Sequence, residues 1–337
     1  MSMTSIMVFD ALGPLLAGFS DASGAHLTGL LSDMTIMSLL ALSAYLMLLV
    51  GRISFGQQAF FGLGAYAAGV MSVMFHMPLA VALAMGVGLG AFASWFLALM
   101  TIHLSGLHYA VATLALGEMS RILLGWWTWQ RPSEDGDVGP AGIEGFRDIR
   151  WLFENDVTSA EYLLLTSGLL VVVLCLLMLL ERTRLGVAMR MTGQDDLLAA
   201  AQGIHVTHIR HVAAALAGGL SALGGGLYAH RTTYIEPALF DPMLGVHAVG
   251  YALLGGLGTA LGPLLGVLLD LGLLDALRIF HGWRMVIFGG LVAAILRWRP
   301  RGLLDEPLVL RLSLSLRHLL KPRGIASASC IRKGARR

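Results

Sequence analysis

Glu118 and Arg121 are opposite charges inside the otherwise apolar stretch Gly106–Trp127. Three residues apart, they share one face of a helix and can pair. A charge at membrane depth costs about 2.5–3.5 kcal/mol on insertion scales, so such a pair belongs against protein or water, not lipid. Two readings follow: a polar lining for a translocation path, or a structural pair near the membrane surface. Trp126 favours the second, because Trp marks that boundary. Asp270, Asp275 and Arg278 pose the same alternatives near the end of a later segment.

Other chemistries find no support. The only lysines, Lys321 and Lys333, lie in the C-terminal tail, so the membrane part holds no phosphate-binding G-x-x-x-x-G-K-[ST] loop. Gly256-Leu-Gly258 resembles part of a dinucleotide fingerprint but has no βαβ context. His205, His208 and His211 would share one face of a helix, yet no H-E-x-x-H or C-x-x-C pattern accompanies them. They read as a polar face at a cytoplasmic interface, with no metal. Cys175 lies in an apolar run and Cys330 in a polar tail, so no disulfide is expected. No nucleophile–base constellation appears, and the chain is read as a non-enzyme with no cofactor and no nucleic-acid partner.

The elements that position these residues are membrane helices. Of 337 residues, 56% are hydrophobic and 13% charged, against about 25% charged in soluble domains. The apolar residues come in blocks, and a spanning helix needs roughly 20 of them. Clear candidates are Met34–Val50, Pro78–Thr101, Gly106–Trp127, Tyr162–Leu180, Val212–Ala229 and Met285–Leu296. Gln57–Phe75, Gly245–Gly258 and Ala260–Ala276 are shorter or richer in Gly. The expected fold is therefore all-α, a polytopic membrane helix bundle with about 8–10 transmembrane segments. Residues 1–33 form an N-terminal segment without a clean signal peptide, containing one weak membrane candidate at Ser5–Ser20. Residues 34–303 form the transport domain, and 304–337 a basic tail read as disordered.

Charge sets the orientation. Residues 181–211 carry Arg182, Arg184, Arg190 and Arg210, and the tail after Leu296 carries eleven Lys or Arg against two acids. Thr128–Glu161 holds eight acids against three Arg. Excess Lys and Arg mark the cytoplasmic side. The stretch 181–211 and the tail are therefore expected inside, and Thr128–Glu161 outside. At 31 residues, 181–211 exceeds the usual connection length. Within it, Ala199–Gln202 favours a helix that Gly203 can end in a left-handed conformation.

Several motifs carry a family resemblance. Gly51-Arg-Ile-Ser-Phe-Gly-Gln-Gln-Ala-Phe-Phe-Gly-Leu-Gly-Ala-Tyr66 is similar to the G-x-x-S-x-G-x-x-A-F-x-G-x-G-A-Y signature of branched-chain amino acid ABC transporter permeases. Arg182–Ala229, with Arg184-Leu-Gly186, Arg190, Asp195-Asp196, Ala199-Ala-Ala-Gln-Gly-Ile204 and Val206-Thr207, resembles that family's cytoplasmic coupling loop. Thr113-Leu-Ala-Leu-Gly-Glu118, Leu254-Gly-Gly-Leu-Gly258, Gly262-Pro-Leu-Leu-Gly266 and Arg299-Pro-Arg-Gly302 follow in the family's order. The long acidic loop before the coupling loop resembles the M-type (LivM-like) branch.

The resemblance implies a permease subunit of a bacterial inner-membrane importer for leucine, isoleucine or valine. Its implied partners are a second, H-type permease, two cytoplasmic ABC ATPases that bind the ATP, an extracytoplasmic solute-binding protein and the lipid bilayer. It assigns coupling to Arg190, Asp195, Asp196, Ala199 and Gly203, and makes Gly62, Gly64, Tyr66, Glu118, Gly256 and Gly258 candidates for the translocation path. Related importers of urea, short amides or aromatic acids are the alternative. An ion-coupled secondary transporter is a further rival, although such proteins place ionisable groups at the midplane.

The charge asymmetry makes a direct prediction about topology. In a background lacking Cys175 and Cys330, Asp137→Cys reacts with an impermeant thiol reagent added to intact cells, and Gln194→Cys does not. Labelling of Gln194→Cys from outside refutes the orientation.

Overall fold

A computed structural model describes residues 22–133, 136–274, 284–299 and 302–304. It is 77% helical with almost no strand, an all-α membrane bundle. In chain order the helices are α1 (Ala22–Leu49), α2 (Gln57–Val73), α3 (Leu79–Met100), α4 (Gly106–Trp126), α5 (Trp151–Glu154), α6 (Ser159–Arg182), α7 (Arg184–Gln194), α8 (Asp196–Ala201), α9 (Val206–Thr232), α10 (Pro242–Gly255), α11 (Gly262–Val267) and α12 (Arg284–Trp298). A π-helical stretch, Leu268–Leu274, continues α11.

Within the described residues, each clear or shorter candidate segment falls on one of these helices, Ala260–Ala276 on α11 and its π-helical continuation. Four of them, α3, α6, α9 and Leu27–Leu49 of α1, are long and apolar enough to cross a membrane by themselves. The remaining five segments fall on helices that are shorter or less apolar. The candidate segment Ser5–Ser20, the residues Asp275 and Arg278, and the tail from Asp305 lie outside the described residues.

Helix α9 is the axis of the bundle, and its small residues make it so. A Cβ on Gly64 of α2 would fall on the Ala222 backbone of α9, and one on Gly225 of α9 would fall on the Phe61 carbonyl. On the other flank, a Cβ on Gly90 of α3 would lie 2.8 Å from the Gly218 carbonyl, and Ser94 Oγ donates to the Ala214 carbonyl at 2.7 Å. Lipid offers no hydrophobic drive for helices to associate, so dispersion contacts at close backbone approach and short polar links must supply it. The Gly-rich patches at Gly62–Gly69 and Gly218–Gly226 are therefore largely packing seams. The patch at Gly255–Gly266 closes the α10–α11 turn, where a Cβ on Gly255 would land on the Gly262 carbonyl.

The two ends of the bundle differ. At one end, the described residues of 128–161 form a cap: the antiparallel pair β1 (Arg131–Ser133) and β2 (Gly136–Val138), then α5. Phe146 and Ile235 exchange backbone hydrogen bonds of 2.7 and 3.0 Å, which ties this cap to the chain leaving α9. Thr158 and Glu161 form a capping box that starts α6, its side chains satisfying two orphan donors. At the other end lie α7, α8 and the first turns of α9.

The seam between α2 and α9 predicts a matched pair of outcomes. Gly64→Ala overpacks the interface and costs about 1–3 kcal/mol, read as a lower melting temperature in detergent. Gly168→Ala in α6 meets nothing within 4 Å and leaves melting unchanged or raised, since Ala favours helix over Gly.

Candidate functional site

The turn between α1 and α2, the α7–α8 arm and the α10–α11 turn meet at one end of the bundle. Gly51 ends α1 with φ +73, a left-handed conformation that suits glycine. A Cβ placed on it would lie 3.1 Å from both Cα and O of Gly193 in α7, and one on Gly193 would strike the Leu49 carbonyl. The two backbones touch with no side chain between them.

A polar cluster locks this contact. Tyr45 Oη donates to Glu181 Oε1 at 2.6 Å. Arg190 Nη2 pairs with Glu181 Oε2 at 3.2 Å and donates to the Gly258 carbonyl at 3.0 Å. One arginine thus joins α7, the end of α6 and the α10–α11 turn. Gly256 (φ +95) is overlaid by Gly302, whose Cβ would strike its Cα, and Gly258 N donates to the Leu304 carbonyl at 3.2 Å.

The arm's tip is α8. Asp195 caps it, accepting from the backbone N–H groups of Leu197 (2.9 Å) and Leu198 (3.0 Å). Asp196 pairs with Arg210 of α9 at 2.5 Å. Ala199 is buried, whereas Leu197 is 83% and Leu198 58% exposed. Gly203 follows at φ +84, the left-handed stop expected after the Ala-rich stretch, with nothing within 4 Å of its Cβ position. Arg210 also lines a small cavity with Arg52, Tyr109, Thr207 and His211. Arg52 lies over the Tyr109 ring at 4.6 Å. Burial, and then the Arg210 charge, lower its pKa from the ordinary arginine value.

His205 is the N-cap of α9 and His208 and His211 lie in its first two turns, with His205 and His208 exposed and His211 half-buried. Among the described residues no group of His, Cys, Asp and Glu could hold a metal ion.

The six candidates for the path separate into different places. Gly62 and Tyr66 lie on one stripe of α2 facing α4. A Cβ on Gly62 would lie 3.0 Å from the Phe240 ring and 3.4 Å from Leu124, and Tyr66 packs among the rings of Trp127, Phe146 and Phe240. Gly64 faces the other way, onto α9. Gly256 and Gly258 belong to the Arg190 cluster. Glu118 pairs with Arg121, whose Nε reaches both carboxylate oxygens at 2.9 Å, and each side chain is about one-third exposed on α4.

Sequence reading missed Tyr45, Glu181, Gly193 and Gln58. Tyr45 sits in an ordinary apolar run, and nothing in the chain order pairs it with Glu181. Gln58 carried a signal within the first motif, a Gln pair opening an apolar helix, and its surroundings are decided by folding alone.

A family model described as "Branched-chain amino acid transport system / permease component" matches residues 26–296. Two curated proteins, each named "High-affinity branched-chain amino acid transport system permease protein LivM", are similar. The one from Salmonella typhimurium is 26% identical over 279 residues, and the one from Escherichia coli 25% over 279. Each alignment covers 76% of this chain and 64% of the relative, so the chain spans less than two thirds of those proteins' length. No solved structure matches the chain.

The Arg190 cluster predicts coupled substitutions. Arg190→Gln and Glu181→Gln each lower the melting temperature, and the double variant loses less than their sum, with a coupling of about 0.5–3 kcal/mol. Additive effects would show that the pair is not a unit.

Proposed function

The chain belongs to the family of branched-chain amino acid transport permease components, and from that premise we propose that it is the membrane-spanning subunit of an ATP-driven ABC importer for leucine, isoleucine or valine. It would pair with a second, H-type permease in a bacterial inner membrane. Two cytoplasmic ATPases would supply ATP hydrolysis, and an extracytoplasmic binding protein would deliver the solute. The basic tail would face the cytoplasm. The similar proteins named for high-affinity branched-chain amino acid transport support the substrate class.

The observation that carries the coupling role is α8. It is a short helix held at its N-terminal end by the Asp195 cap and the Asp196–Arg210 pair, and it presents Leu197 and Leu198 outward. Two exposed leucines on a rigid projection fit an apolar groove on a partner. Behind α8, the Gly193–Gly51 contact and the Arg190 cluster lead into the α1–α2 turn. In this reading Arg190, Asp195, Asp196, Ala199 and Gly203 serve the coupling: three as polar locks, Ala199 as a buried base, Gly203 as the left-handed stop. Each ATPase state can shift the bundle only by its differential affinity for inward- and outward-open forms.

The test is Gly203→Val. A Cβ at φ +84 costs roughly 1–2 kcal/mol, because L-residues avoid the left-handed region. The variant inserts normally and leaves solute binding by the external protein intact, but ATPase association and leucine uptake fall at matched expression. Normal uptake would reject the coupling role of the arm. Uptake by the chain alone in liposomes, without ATPases or ATP, would reject the importer reading altogether.

A further inference from the structure

Helix α2 starts inside the bundle. Gln57 Oε1 accepts from Ser43 Oγ at 3.2 Å, and Ser43 stands about two turns before the end of α1. Phe55 N donates to Thr113 Oγ1 at 3.2 Å, about two turns after the start of α4. Both place the first turn of α2 roughly 10 Å in from the end that bears α7 and α8. Its N-cap is Gly56, and no side chain caps it. An uncapped helix start inside a membrane protein presents N–H groups and the positive end of a helix dipole to whatever lies there.

Gln58 lies at that start. Its side chain is 0% exposed, and neither Oε1 nor Nε2 has a hydrogen-bond partner among the described residues. A buried amide left unpaired is costly, so natural structures rarely keep one without a reason. Glycines seal it from two sides. A Cβ on Gly117 of α4 would lie 2.5 Å from Nε2, and one on Gly245 of α10 would strike Oε1. The stripe continues outward along α2 to Gly62, between Phe240 and Leu124, and to Tyr66, whose hydroxyl also lacks a partner among the described residues. Helix α4, which closes one side, buries only Tyr109, Ala110, Thr113, Gly117 and Leu124.

Resting on the permease reading above, we infer that the Gln58 carboxamide binds the zwitterionic head of the transported amino acid when α4 and α10 part from α2. The amide offers a donor and an acceptor together, matching a carboxylate and an ammonium group. The carboxylate lies against the uncapped start of α2 and Nε2, and the ammonium group against Oε1. The aliphatic side chain lies outward along the stripe, over Gly62, against Leu124 and Phe240. In the closed bundle the same amide is desolvated and idle.

Gln58→Met keeps the length of the side chain and removes both polar atoms. In the complete transporter, reconstituted with its binding protein, ATP and radiolabelled leucine, uptake falls roughly tenfold or more, as for a lost hydrogen bond to a charged group. The melting temperature holds or rises, because an unpaired buried amide has been replaced by an apolar group. Uptake at the wild-type level overturns the inference and leaves the permease reading standing. If both uptake and melting temperature fall, Gln58→Cys in the background lacking Cys175 and Cys330 decides. Modification by a small thiol reagent only during ATP turnover, slowed by leucine-loaded binding protein, upholds the inference. A thiol that never reacts marks Gln58 as structural. Absence of ATP-driven leucine uptake by the wild-type complex overturns both readings.

Discussion

The close approach of α2 and α3 to α9 constrains everything else in this bundle. Water outside a soluble protein drives apolar surfaces together, but lipid tails are as apolar as leucine and provide no such drive. The helices must gain their cohesion from dispersion at short range, which a side chain at the crossing would prevent. Gly64 against Ala222, Gly225 against the Phe61 carbonyl and Gly90 against Gly218 satisfy that demand. Ser94 and Ser221 add short hydrogen bonds to backbone carbonyls across the same interfaces. With α2 fixed on α9 in this register, the opposite face of α2 has one orientation available. That face carries Gln58, Gly62 and Tyr66 toward α4 and α10.

The second consequence lies at the end of the bundle where the chain's separate motifs converge. Gly51 and Gly193 touch backbone to backbone, so no flexible side chain absorbs relative movement between α7 and the α1–α2 turn. Arg190 ties the same arm to Glu181 and the Gly258 carbonyl. Between Gly51 and the start of α2 runs a short non-helical segment held by Arg52 over Tyr109 and by Phe55 on Thr113. The exposed tip of the arm and the buried start of α2 are therefore joined through a few rigid contacts. The opposite end is built differently. There the acidic loop folds back on the chain leaving α9 through Phe146 and Ile235, over a cluster of aromatic rings.

Much of this was legible in the chain. Apolar blocks interrupted by few charges specified membrane helices, and the Ala-rich stretch and Gly203 specified a short helix and its stop, though the helix begins earlier than expected, at Asp196 behind the Asp195 cap. Glu118 and Arg121, three residues apart, paired as helical spacing requires. The Gly-rich motifs were visible as motifs, but their roles were not: Gly62 faces α4, Gly64 faces α9, and Gly256 lies under Gly302.

The sequence by itself determined the solvent of this protein, its helical class and the local start and stop signals, because these depend on residues within a few turns of one another. Tertiary structure alone decided which glycines let helices touch and which admit a neighbouring polar group. It set Arg190 against Gly258 and Gly51 against Gly193, pairs far apart along the chain. It also left the Gln58 amide buried with no hydrogen-bond partner among the described residues. The physical reason is that a glycine or a glutamine has the same local propensity wherever it faces. Its energetic meaning is fixed by the atoms that the packing of distant helices brings within 3 or 4 Å of it.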